Sequence, residues 1–150
     1  MHKIIRFVIV GIVSIVLLNS LFFVAIAVYK TVHAYVLVAQ GKVEERPGIH
    51  IAESLDGFML ALFFLIFSLG VSKLFLHESK FLSNYSLPWL KVNNFSDLKF
   101  IMWEVLLTTV LVYFTTKLII VGNELNWNLL IFPSSILMLA VAYKLLKQGH

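Results

Sequence analysis

The side chains in this sequence that could do chemistry are the few ionisable and hydroxyl groups set within or beside long apolar runs. A charge at the centre of a bilayer costs about 2.5–3.5 kcal/mol on insertion scales, so each charge near an apolar run needs a reason. Glu53 and Asp56 stand three residues apart, which places them on one face of a helix. Lys117 falls near the far end of a later apolar run, Glu104 about one turn inside that run, and Lys73 near the end of the earlier one. Glu104, Thr108, Leu111, Thr115 and Gly122 recur at helical steps and share one face. One reading is a polar path, with the Asp56 and Glu104 carboxylates binding a cation or relaying protons and Thr108 and Thr115 lining a hydrated groove. The competing reading is helix pairing, Asp56 with Lys117 and Glu104 with Lys73, which spares each charge its desolvation cost. The lysines could also extend to the headgroups.

Asn19 is the strongly polar side chain near the middle of the first apolar run, and it is expected to hydrogen-bond between helices, also across an oligomer interface, with contact to a transported solute as the alternative. Gly57 with Ala61, and Ser68 with Ser72, form small-xxx-small pairs suited to close helix approach. Phe22, Phe23, Phe63 and Phe64 are expected to pack or face lipid. The chain has no cysteine, which excludes disulfides, thiolate metal sites and cysteine nucleophiles. His33 and His50 flank a loop carrying Glu44 and Glu45, but no pair has the i, i+4 spacing of a metal site. No phosphate-binding glycine loop, nucleophile elbow or dinucleotide fingerprint occurs. The expectations are therefore no metal, no cofactor and no enzymatic activity.

The elements that must hold these residues follow from composition. Of the 150 residues, 60% are hydrophobic and 13% charged, with mean hydropathy +0.93. Soluble domains are roughly 45–50% apolar and about 25% charged. A water-soluble domain this small could not hide so much apolar surface; lipid is the solvent that suits it. The pattern predicts an all-α integral membrane bundle of four transmembrane helices in a single domain, with spans over about 7–29, 51–76, 100–121 and 129–146. The first run, Phe7 to Tyr29, is 23 residues long, against the about 20 needed to cross a bilayer and the about 7–15 of a cleaved signal peptide. Its helix is expected to continue to Gln40, with Gly41 as the stop. The segment from His77 to Lys99, with Tyr85, Trp89 and Phe95 beside Lys80 and Lys91, reads as lying at the headgroup level. Ser96 is the expected cap of the third helix, with Asp97 in its first turn. Pro133 sits near the start of the fourth, where a missing backbone donor costs least.

Net charge is +4 and the isoelectric point about 9.4. The basic residues lie between apolar runs, where they set topology and meet anionic lipid, so no nucleic-acid partner is expected. Lys3, Arg6, Lys73, Lys80, Lys91, Lys99, Lys144 and Lys147 fall on one side, eight against the four of Lys30, Lys42, Arg46 and Lys117. The richer side is expected to be cytoplasmic, with both termini there.

Several short motifs point further. Glu53-Ser54-Leu55-Asp56-Gly57-Phe58 opens a span, and Phe67-Ser68-Leu69-Gly70 with Leu74-Phe75 closes it. Trp89-Leu90 follows, and Asp97-Leu98-Lys99 leads into the next span. In this order and spacing they resemble the YqhA-like family of small, uncharacterised membrane proteins, over roughly residues 50–145, with the first span fitting only by being apolar. The resemblance implies a four-helix membrane protein of a bacterial or organellar kind, and little about activity.

Two expectations of function stand together. One is a transport pathway for a small ion or organic anion, formed by a homo-oligomer in the cell inner membrane, with room for a partner membrane subunit. The alternative is a non-catalytic structural or accessory subunit of a larger membrane complex, in which the same charges hold helices together.

Overall fold

A long apolar run suits a helix, because lipid would offer its backbone no hydrogen-bond partner and a helix satisfies every N–H and C=O within its own segment. A computed structural model of the chain describes residues 2–76, 92–122 and 126–149. Its long helices are α1 (His2–Ala39), α2 (Pro47–Phe75), α3 (Phe95–Val121) and α4 (Ile131–Gln148), with short 3-10 turns at Val43–Glu45 and Trp127–Leu130. Among the described residues there is no strand. Four helical segments are long and apolar enough to cross a membrane, the fourth counted together with its leading 3-10 turn.

The first helix is 38 residues long, about 57 Å at 1.5 Å per residue. That exceeds the about 30 Å of a hydrocarbon core by some five turns. It ends at Ala39, and Gly41 follows at φ 72°, the left-handed turn that a glycine adopts without strain. The sequence therefore places this stop correctly. The second helix begins earlier than expected, at Pro47, because proline at the first helical position loses no hydrogen bond. The third also begins earlier, at Phe95, and its cap is Asn94, not Ser96. The Asn94 side chain accepts from the Asp97 amide at 2.8 Å, and the Asp97 carboxylate accepts from the Asn93 amide at 3.1 Å. This reciprocal pair is a relative of the capping box, and it takes the asparagine in preference to the serine two residues later. Of the expected headgroup-level segment, residues 77–91, with Lys80, Tyr85, Trp89 and Lys91, lie outside the described residues, and its end, from the exposed Phe95 to Lys99, is instead the first part of α3.

The helices pack in chain order. The α1–α2 contact is the most extensive, α2 packs on α3, and α4 packs mainly on α3. Small residues make the close approaches. On α1 these are Ser20, Ala27 and Ala34, all buried, recurring every seven residues. On α2 they include Ala61, Ser68, Gly70 and Ser72. A Cβ on Gly57 would meet the Ala27 Cβ at 3.2 Å, and one on Gly70 would meet Leu98 Cδ1 at 2.2 Å. The small-xxx-small pairs read from the sequence thus lie where α2 is most crowded. The aliphatic centre of the packing is Ile66 of α2 with Val92 and with Leu98 of α3. Phe23 of α1 stacks on Phe64 of α2 at 5.6 Å between ring centroids, whereas Phe22 points outward, 67% exposed. No residue of α4 is buried, so the fourth helix is the most loosely attached.

Candidate functional site

Three helices bring charges together at one end of the bundle. Glu53 and Asp56 sit one turn apart on α2, as their spacing requires. Lys30 of α1 reaches Glu53, with Nζ to Oε2 at 2.9 Å. Both side chains are more than a third exposed, so in water this pair would contribute at most about 1 kcal/mol. Asp56 is half-buried and makes no hydrogen bond or ion pair among the described residues. The charges acting on it are Lys30 and Lys117. Lys117 of α3, itself half-buried, lies over the ring of Tyr113 one turn back, 5.3 Å from its centroid. The expected Asp56–Lys117 ion pair is thus not closed: Lys117 faces the carboxylate without touching it, because its ammonium rests on the aromatic ring. Lys30, read from sequence only as a topology marker, is the residue that completes the cluster.

The second expected pair is replaced as well. Glu104 is exposed on α3, and its carboxylate accepts a hydrogen bond from the Tyr143 hydroxyl of α4, so it does not join Lys73. Lys73 lies exposed in the last turn of α2, where a positive charge complements the helix dipole. The physical reason is register: α4 packs against α3 on the side where Glu104 projects, and a phenol there needs an acceptor. Lys147 lies over the Tyr143 ring at 5.7 Å, so the Glu104 carboxylate still has a cation in its neighbourhood.

The threonine stripe faces outward. Thr108 and Thr115 are exposed, and their hydroxyls donate to the Glu104 and Leu111 carbonyls at 2.9 and 3.0 Å. Hydroxyls bonded to their own helix in this way line a surface without demanding water. The adjacent threonines, Thr109 and Thr116, are the buried ones. Thr116 donates to Val112 O at 3.0 Å and approaches Ala52 O of α2 at 3.3 Å, while Ser20 of α1 donates to Ala61 O of α2 at 2.8 Å. Sequence reasoning passed over these. The signal was present in the seven-residue spacing of Ser20, Ala27 and Ala34, and of Thr109 and Thr116. Between α2 and α3, near the charge cluster, an open cleft of about 570 Å³ is lined by Ala52, Ser54, Thr115 and Thr116 within a mostly apolar wall.

Asn19 is exposed near the middle of α1 and has no hydrogen-bond partner among the described residues. The His33 and His50 rings meet edge to face at 5.2 Å, but no group of three or more ligating side chains that could hold a metal ion occurs among the described residues.

A run of apolar helices with small-residue seams and charges gathered near their ends is the architecture of a multi-pass membrane protein. Within that class the chain belongs to a family: the model of the uncharacterized protein family UPF0114 matches residues 4–118. The match fits the resemblance read from the α2 and α3 motifs and corrects its extent. It begins inside α1, so the first helix is part of the family pattern, and it stops at Leu118, before α4. A helix apolar all round carries little pattern, which is why α1 was legible only as a span. No curated protein and no solved structure matches the chain.

Proposed function

We propose that this protein spans the cell inner membrane four times, with both termini in the cytoplasm, and that a homo-oligomer of it forms or contributes to a pathway for a small ion. The observation that carries this reading is the Asp56 carboxylate, half-buried and unpaired beside two lysines. An ion pair that served only to hold helices would be closed, as Lys30–Glu53 is. A carboxylate with free lone pairs between movable cations is suited to bind and release a cation or proton, and the facing lysines give a small organic anion a place to rest. The exposed Glu104 with Thr108 and Thr115 extends this polar surface along α3, on a face that a neighbouring protomer could turn into a lined path.

The experiment is flux into proteoliposomes carrying a pH dye, with protons, alkali cations and small carboxylates offered in turn. Asp56→Asn keeps size and shape and removes the charge. The reading expects lost flux with unchanged melting and oligomer size. Flux unaffected by this exchange would refute it.

The alternative reading, a non-catalytic structural or accessory subunit, draws on a separate observation. The Lys30–Glu53 bridge and the interhelical bonds of Ser20 and Thr116 are all used in packing. On that reading Asp56→Asn changes stability and assembly, and the protein is silent for every ion tested.

A further inference from the structure

The outward face of α1 carries a pattern that its own chain does not use. Val8, Ile12, Ile15, Asn19, Phe22 and Ile26 recur at alternating steps of four and three, a heptad seam running along the helix. All six are exposed. They lie to one side of the stripe that meets α2, which is marked along α1 by the buried Ser20, Ala27 and Ala34. Apolar residues at heptad spacing are unremarkable in a helix that is apolar all round. The polar position on the seam is what selects it. Asn19 offers two donors and a carbonyl acceptor, none of them bonded among the described residues. Lipid chains supply no partner for an amide at this depth.

We propose that α1 pairs in parallel with α1 of a second copy of this chain, in register, with Asn19 hydrogen-bonded to Asn19 of the partner. Direction follows from the membrane: copies inserted the same way can set equivalent helices side by side only in parallel. A parallel two-fold pair puts each seam residue opposite its own copy, and an amide is complementary to itself. Asn19 falls at the heptad position flanked by Ile12 and Ile26, where a single asparagine fixes the register of parallel helices. None of the six seam residues is among those buried against α2. This interface deepens the homo-oligomer of the proposed function and rests on that part of it alone.

The absence of native cysteine makes the test direct. Single exchanges Ile12→Cys, Ile15→Cys, Phe22→Cys and Ile26→Cys are placed in the full chain in native membranes and oxidised. Controls are Ser14→Cys and Val28→Cys, both exposed but on the opposite side of α1. The expected result is disulfide-linked dimer at the four seam positions and little at the two controls. Adding Asn19→Leu to the Ile15→Cys protein lowers the dimer yield roughly threefold, the loss of one interhelical hydrogen bond. Equal cross-linking at all six positions, cross-linking at the controls alone, or no dimer at any position overturns the interface. Flux separates the two proposals: flux lost in Asp56→Asn without seam cross-links retains the pathway and removes this interface. Seam cross-links in a protein silent for flux do the reverse.

Discussion

Gly70 offers a perturbation whose magnitude can be worked from the packing. It sits where α2 crosses α3, and a methyl group added there would lie 2.2 Å from Leu98 Cδ1 and 3.3 Å from Leu98 Cδ2 and Cγ. Carbon atoms rest at about 3.5–4.0 Å, so in Gly70→Ala the Leu98 terminus must move by more than 1 Å. It has little room to do so. Leu98 is 3% exposed and packs with Ile66 and Val92, ringed by Leu69, Leu74, Ile101 and Met102. Overpacking of this kind costs about 1–3 kcal/mol, offset by at most about 1 kcal/mol of helix propensity gained over glycine. A net loss of about 1–2 kcal/mol is expected. Leu98→Ala alone leaves a cavity. In lipid the transfer gain is largely missing, so its cost falls at the lower end for such truncations, about 2 kcal/mol. The double exchange removes the clash, because the new methyl enters the space the leucine vacates. A double-mutant cycle, read from reversible unfolding in mixed micelles, should then show the pair more stable than the sum of the singles by about 1–2 kcal/mol. Additivity within about 0.5 kcal/mol would show that α2 and α3 do not cross at Gly70.

Other consequences of the packing can be checked by the same unfolding measurement, except where another is named. Ser20→Ala removes the hydrogen bond to the Ala61 carbonyl and should cost about 0.6 kcal/mol, the usual worth of an interhelical bond in a membrane. Ser72→Ala should be neutral or slightly stabilising, because the buried Ser72 hydroxyl has no partner among the described residues. Tyr143→Phe should loosen α4 by about 1 kcal/mol, seen as faster alkylation of a cysteine placed at Leu139, since its hydroxyl is bonded to Glu104 and no α4 residue is buried. Gly41→Val forces a branched residue to φ 72° and should cost about 1–3 kcal/mol, with Gly41→Asn costing less.

The helices themselves were legible because their cause is local. A run of about 20 apolar residues in lipid must satisfy its own backbone, whatever its neighbours do. The stop at Gly41 and the tolerated Pro133 were readable for the same reason, since each depends on one residue's backbone chemistry. Spacing alone put Glu53 with Asp56 and Thr108 with Thr115 on common faces. Partner choice was not readable. A sequence does not show that α4 brings Tyr143 to Glu104, that Lys117 lies over Tyr113 and leaves Asp56 open, or that Lys30 is the cation that closes on Glu53. Those outcomes depend on helix rotation and register, set by where Gly57 meets Ala27 and Gly70 meets Leu98. Helices apolar on every side give no amphipathic stripe from which rotation could be read. The sequence determined that four apolar helices form, that the first stops before Gly41, and which charges share a face. The tertiary structure decided which faces turn inward, because in lipid the close fit of small residues, and not the hydrophobic effect, selects the packing surface.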